Sequence, residues 1–379
     1  MTAHPLPLLQ SLIEIASVNP QLDPDSAGET DIAEFCSEWL AAHGFTVERL
    51  ESVPGRPSIV GILSGTGGGR SLMLNGHLDT VGVATYGDDP FAARVEDGKV
   101  FGRGTFDMKG GIAAILIAAE RAAAEPMAGD LIVALVADEE FGSLGTAEVL
   151  SRHRADAAIV AEPSGLELTL AHRGFAWFEV ELSGLAAHGS MPEQGVDAIA
   201  GASALLGLVG ELRSGLEGMP RHPLLGHGTV RVATISGGVD AATVAPSCTL
   251  TLERRTLPGE TIDEVEAELR ELVAEAADSV PGLTATLTRL VGRGAFEAER
   301  ASPIVTTVSS AFERVTGAAP GVRGEPFWTD AGLYAEAGIP CLVFGVDGGG
   351  AHADEEWVTI ASLETLTDVL ERTIREFCS

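Results

Sequence analysis

Two histidines and several carboxylates fall where this 379-residue chain could use them to hold metal. His77 and Asp79 follow the apolar run SLMLN (71–75), and Asp107 lies in VFGRGTFDMKGG ahead of a helical stretch. Glu139 and Glu140 follow LIVALVA, and Glu162 follows AAIVA. His352 comes after PCLVFG, across a glycine-rich stretch containing Gly349. Zinc takes imidazole nitrogen and carboxylate oxygen, and a hydrolytic site leaves a position open for water. A carboxylate shared by two ions sets them roughly 3.5–4 Å apart, a spacing suited to activating one water between them. Another carboxylate must stay off the metals to take the proton of the attacking water. The neighbours Glu139 and Glu140 offer one side chain for each job. Asp79, two positions after His77, is placed to accept the second imidazole N–H and so to fix the tautomer. Each residue has a plainer reading by itself: Asp107 as a helix N-cap, the glutamate pair as surface, Glu162 as a strand end. Their joint placement carries the argument.

The elements that must position them read as a parallel sheet. Residues 71–75, 130–137, 157–161 and 340–345 are short apolar runs of the kind buried on both faces. GGIAAILIAAERAAA (110–124) reads as a helix between two of them. In an open parallel sheet the loops at the carboxyl ends of the strands share one crevice, and ligands bind there. Five separated segments thus bring their histidines and carboxylates to one rim.

The middle of the chain has a different rhythm. FAWFEVELSG (175–184) alternates with period two, as a strand with one wet face does. Residues 196–213 read as a helix, 228–238 and 243–256 as strands, 261–277 as a helix with Thr261 as its N-cap, and 283–290 as a last strand. The order β-α-β-β-α-β is that of a ferredoxin-like module. Because 340–345 returns to the parallel pattern, the module is an insertion. The expected architecture is an α/β catalytic domain over 1–173 and 292–379 with a mostly parallel sheet, interrupted by a lid over 174–291. SGTGGG (64–69) lacks the Lys-Ser/Thr ending of a phosphate loop and precedes a strand, so it reads as a turn.

Composition narrows the partners. The net charge of −31, from 55 acidic and 24 basic residues, repels phosphate backbones and anionic lipid and argues against nucleic acid and membrane partners. Cys36, Cys248, Cys341 and Cys378 are scattered without a Cys-x-x-Cys pair, which suits a reducing compartment. No signal-peptide pattern stands at the N-terminus and no uninterrupted apolar run reaches membrane-spanning length, so a cytoplasmic protein is expected.

NGHLDT, GRGTFDMKGG, DEEFGS, AEPS and AHADEEWV together resemble the motifs of the zinc exopeptidase and deacylase family. That family includes acetylornithine deacetylase, succinyl-diaminopimelate desuccinylase, aminoacylase and glutamate carboxypeptidase. The resemblance covers nearly the whole chain, the insertion included. It implies two divalent ions, zinc in the first place and cobalt or manganese as substitutes. His77 and Glu162 would bind one ion and Glu140 and His352 the other, with Asp107 bridging. Asp79 would orient His77, and Glu139 would be the general base. In the insertion, AAHGSMP places His188 as the residue that polarises the scissile carbonyl, and RTLP places Arg255 on the substrate carboxylate. Thr243 and Gly349 complete the implied substrate contacts. Thr243-Val244-Ala245-Pro246 departs from the Asn-Val-Val-Pro of many relatives: threonine is shorter and has no amide NH₂. The resemblance further implies a cis peptide at Asp107–Met108 and a homodimer in which His188 serves the partner's site. The implied substrate is a small N-acyl amino acid, with a dipeptidase or carboxypeptidase as the alternative. An inactive binding protein on this fold would lack the base or a ligand, and a nucleotide-binding enzyme would need a glycine fingerprint that no strand here precedes.

Overall fold

The computed structural model describes residues 3–379. The chain packs as two units, one of Met1–Leu170, Ala298–Arg323 and Thr329–Ser379, the other of Ala171–Glu297 with Gly324–Trp328. The second unit therefore takes in residues on both sides of the expected 174–291, together with a short segment far along the chain.

In the first unit four strands run parallel in the spatial order Leu131–Val136, Leu72–His77, Ala157–Val160 and Cys341–Val343. Every residue of the four is buried, as strands covered on both faces must be. Antiparallel strands widen the sheet: Ser58–Leu63 and Thr46–Leu50 on one side, Leu168–His172 beside Cys341–Val343. The chain has the mixed α/β architecture, mostly parallel at its centre, that its apolar runs predict. Helix Gly110–Ala123 is apolar around nearly its whole circumference. It packs on Leu72–His77 and Leu131–Val136 and also on the helices Pro5–Glu14 and Ile360–Phe377, which leaves it no wet face. SGTGGG is a packed turn. The N–H groups of Thr66 and Gly67 donate at 2.8 Å to the carbonyls of Met127 and Ala128, so they are not free to cradle phosphate.

The second unit is an antiparallel sheet in the order Thr229–Gly237, Ser247–Thr256, Gly174–Ser183, Thr284–Arg293, the ferredoxin-like arrangement. Helices Ala198–Gly218 and Ile262–Asp278 bury Leu205 and Leu269 against Phe178, Leu182, Leu250 and Leu252. Thr261 caps the second helix in a full capping box with Glu264. The strand expected from Thr243 starts only at Ser247. Val244 N–H donates instead to Ala187, the Ala245 carbonyl accepts from Ala198, and Pro246 has no N–H for a ladder.

One helix, Ala198–Gly218, is long and apolar enough to cross a membrane by length and composition alone. Glu211, Arg213 and Glu217 lie in its second half. Its Ala198, Ala202, Leu205 and Val209 face is buried in the core of the unit, while Ile199 and Leu206 are exposed. All four cysteines are free and buried. Burial pushes the thiols of Cys36 and Cys378 up to about 12.

Candidate metal centre

The candidate ligands sit at the carboxyl ends of the four parallel strands. His77 is the last residue of its strand, Glu139 and Glu140 follow Leu131–Val136, Glu162 follows Ala157–Val160, and His352 follows Cys341–Val343. Asp107 comes from the irregular turn Thr105–Lys109, whose Asp107–Met108 peptide is cis. The two oxygens of Asp107 face different histidines: Oδ1 lies 3.0 Å from His77 Nε2, and Oδ2 lies 3.4 Å from His352 Nε2. Glu162 stands 3.6 Å from His77 Nε2, and Glu140 stands 3.1 Å from His352 Nε2. The result is two half-sites sharing Asp107. Ligand atoms of His77, Asp107 and Glu140 lie within 4.8 Å of one another, as do those of His77, Glu139 and Glu162. Glu139 thus stands in the same cluster as His77 and Glu162.

Electrostatically this group attracts positive charge. Burial, and then Glu162, push Glu139 well above the usual carboxylate range. Burial, and then Asp107, do the same to Glu162 and, less strongly, to Glu140. Burial also acts to raise Asp107, but the imidazoles of His352 and His77 outweigh it and hold the carboxyl low. Hydrogen bonds to Asp107 and Glu140 push His352 up to about 10. Glu140 Oε1 is buried without a hydrogen-bond partner among the described residues. Buried carboxylates crowded together, an orphaned carboxylate oxygen and two imidazole nitrogens make a donor set that fits divalent cations.

The surroundings of Asp79 differ from the sequence reading. His77 Nδ1 lies 2.9 Å from the main-chain carbonyl of Asp79 and 3.6 Å from its carboxylate. The carboxylate accepts instead from the backbone N–H groups of Glu139 and Glu140, both at 3.1 Å, and from the Asn19 amide at 2.7 Å. One residue therefore aims the His77 ring through its backbone and pins the glutamate turn through its side chain.

Six supporting residues carry no role in the sequence reading: Asn19, Glu29, Arg56, Asp138, Asp330 and Glu356. Asn19 Nδ2 also donates to Asp138 at 3.1 Å. Arg56 pairs with both Glu29 and Asp138 in the same buried network. Glu356 holds the Asp107 turn: its oxygens accept from the N–H groups of Gly104, Phe106 and Asp107 and from Arg103 Nη1, each at 2.9 Å. Burial pushes Asp330, which accepts from Thr146, up to about 6. Glu356 stands inside the AHADEEWV motif and Asp138 inside DEEFGS, which were signals; Asn19 and Asp330 follow no chemical pattern.

The remaining candidates divide between the units. Gly349 pairs with Trp357 in the first unit. In the second, His188 and Thr243 form a single β-bridge, and His188 Nδ1 is 2.8 Å from Ser190 Oγ. Arg255 is half-buried, 2.9 Å from Glu253, with its guanidinium 5.4 Å from the Phe175 ring centre. Glu253 also accepts from Trp177 and Arg231. Arg255 is thus held in a fixed pose by a carboxylate shared with another arginine. The adjacent Arg254 points into the core, 1% exposed, and pairs with Glu260.

Comparison with known proteins agrees with this geometry. The family described as peptidase family M20/M25/M40 matches residues 73–376. An N-formyl-4-amino-5-aminomethyl-2-methylpyrimidine deformylase of Bacillus subtilis (strain 168) is 31% identical, over 91% of this chain and 90% of its own. Among solved structures, aminopeptidase PepT from Bacillus cereus superposes with a TM-score of 0.83 at 20% identity, covering 99% of this chain and 98% of its own. A Bacillus subtilis protein described as a dinuclear metal binding peptidase from the M20 family gives 0.74 at 15% identity, with 98% of each chain covered. At those identities the two structures speak for the fold alone. Family match, relative and donor set agree with the motifs, and the chain belongs to peptidase family M20/M25/M40 as a metal-dependent hydrolase.

Proposed function

We propose that this enzyme cleaves the amide bond of a small N-acyl amino acid with the help of two divalent ions, zinc in the first place. The observation that carries the reading is Asp107, with one carboxylate oxygen turned to each histidine. His77 and Glu162 would hold one ion, His352 and Glu140 the other, and Asp107 both. Bound there, the ions supply Lewis acidity toward water and the amide carbonyl. Glu139 takes the proton of the attacking water and passes it to the leaving nitrogen. Burial places its carboxyl above the usual range, which favours that exchange. The Asp79 carbonyl keeps the His77 proton on Nδ1 and leaves Nε2 free to coordinate. Arg255, held by Glu253, offers its remaining N–H groups to the substrate carboxylate, while His188 polarises the scissile carbonyl beside Thr243. The deformylase relative supports acyl removal from a small amine, since its name describes removal of a formyl group.

The exposed edge strand Thr229–Gly237 and the exposed Ile199 and Leu206 support a homodimer through the second unit. The buried free thiols support a cytoplasmic enzyme. The decisive experiment combines metal analysis with a screen of N-formyl, N-acetyl, N-succinyl and dipeptide substrates in added zinc, cobalt or manganese. About two ions per chain are expected. Glu139→Gln should keep both and lose about 10²–10⁴-fold in turnover, whereas Glu140→Gln should lose metal as well. Full activity after thorough chelation refutes the mechanism, and equal metal loss in both variants refutes the division of roles. A dipeptide turned over faster than every N-acyl amino acid replaces the deacylase reading with the peptidase one.

A further inference from the structure

The second unit contains a cavity of about 770 Å³ lined by Arg173, Arg221, His222, Gly226 and His227, with Glu217 as its one carboxylate. In a chain of net charge −31 most arginines meet a carboxylate, but Arg173 and Arg221 make no salt bridge among the described residues. The loop that presents them is firmly built. His222 and Gly226 exchange backbone hydrogen bonds of 2.8 and 3.0 Å. His222 Nδ1 accepts from the N–H groups of Leu224 and Leu225, both at 3.2 Å, so its proton sits on Nε2, 3.2 Å from Glu297. Arg173 Nη2 donates to the Leu225 carbonyl at 2.6 Å. Gly226 adopts φ +73°, and a Cβ there would stand 3.7 Å from Arg221 Nη2 and 3.8 Å from Arg173 Nη2. Two guanidinium groups therefore close on one glycine that leaves the space between them open. Two further nitrogens on residues lining this cavity, Arg173 Nε and His227 Nδ1, are buried with no hydrogen-bond partner among the described residues. Burial, and then the like charge of Arg255, lower the Arg173 pKa, so the guanidinium is both desolvated and near another cation.

We propose that this cavity binds a small oxyanion, a carboxylate or phosphate group, gripped by Arg173 and Arg221 with His227 beside them. A guanidinium fork matches two oxygens of such a group, and the match is strongest where water is partly excluded. The orphaned Arg173 Nε gains the acceptor that the protein does not provide. The anion has two sources, a second substrate carboxylate beyond the one assigned to Arg255, as in an N-succinyl amino acid, or a free inorganic or organic anion. The site does not rest on the proposed substrate, because it is read out by binding.

The test titrates inorganic phosphate calorimetrically into the metal-loaded enzyme at fixed ionic strength, in wild type, Arg173→Met and Arg221→Gln. Wild type should show a saturable site that each variant weakens about tenfold or more, the effect of one lost charge-assisted hydrogen bond, with metal content unchanged. Phosphate bound at the metals would persist in both variants and so be recognised. Arg221 is exposed, so its variant remains informative if Arg173→Met loosens the loop. Superimposable isotherms for wild type and Arg221→Gln overturn the proposal, as does absence of saturable binding. Where binding is lost, a raised KM for an N-succinyl amino acid with competitive inhibition by phosphate identifies the second substrate carboxylate as occupant. An unchanged KM identifies a free anion.

Discussion

Glu356 is the strongest single support of the Asp107 turn, and its removal has a size that can be worked out. The side chain is 1% exposed and accepts four hydrogen bonds at 2.9 Å, one from Arg103, itself 1% exposed. Breaking a buried ion pair from one side costs about 3–5 kcal/mol. Each backbone N–H left without an acceptor adds about 1–3 kcal/mol unless water enters. Glu356→Ala therefore removes a large share of a stability that is about 5–15 kcal/mol in all. Glu356→Gln is the sharper probe, because it fits the same space, keeps one acceptor oxygen, and turns an NH₂ toward donors. Oε2 carries the bonds from Arg103 and Gly104 and Oε1 those from Phe106 and Asp107; with the amide oxygen kept toward the guanidinium, we expect a loss of about 3 kcal/mol, the two Oε1 bonds and the weakened pairing with Arg103. The Asp107 N–H is among the donors released, so the bridging carboxylate should lose its aim and metal affinity should fall about 10–100-fold. Urea unfolding of the metal-free protein measures the first effect, and competition with a fluorescent zinc chelator the second. A Glu356→Gln protein that unfolds at the wild-type urea concentration and holds zinc as tightly would refute the reasoning. Loss of stability with unchanged zinc affinity would confine Glu356 to a structural part.

Three other outcomes are expected. Asn19→Ala strips a donor from both Asp79 and Asp138, and should lower kcat and metal affinity with little change in KM; a pure KM effect in steady-state kinetics would place Asn19 at the substrate instead. Burial lowers the pKa of Lys109 from 10.5 to about 7. The unfolded chain then holds more protons between these values, so stability should rise with pH across that window and flatten there in Lys109→Met, as urea midpoints will show. Mixing inactive Glu139→Gln with inactive His188→Ala should restore activity if His188 acts on the partner's site, since a mixed dimer then has one intact site; an inactive mixture after demonstrated subunit exchange, or a protein monomeric by light scattering, would refute that arrangement.

What the sequence made legible is the part written in short range. His77, Glu139, Glu140 and Glu162 stand within a few positions of a strand end, so a reader who finds the strands finds the rim. The Thr261 cap and the period-two pattern of Gly174–Ser183 were readable for the same reason. What escaped is written across distance. Asn19 reaches Asp79 and Asp138 through a bridge between Val18 and Thr80, and no local rule announces such a meeting. Periodicity says nothing of which oxygen of Asp79 turns toward the His77 ring; the carbonyl stands 2.9 Å from Nδ1 and the carboxylate 3.6 Å. Arg254 and Arg255 are indistinguishable as letters, and only the alternation of strand faces buries one beside Glu260 and sends the other to Glu253.

The buried cysteines have a practical meaning. With Cys36, Cys248, Cys341 and Cys378 all free and covered, and with the thiols of Cys36 and Cys378 raised to about 12, the native protein offers maleimide reagents almost no thiolate. A cysteine introduced at exposed Glu38 of the first unit and another at exposed Glu275 of the second would be the two sites that take up dye. Glu38→Cys/Glu275→Cys protein, labelled without deleting a native residue, would let single-molecule energy transfer follow the separation of the two units as substrate or metal is added.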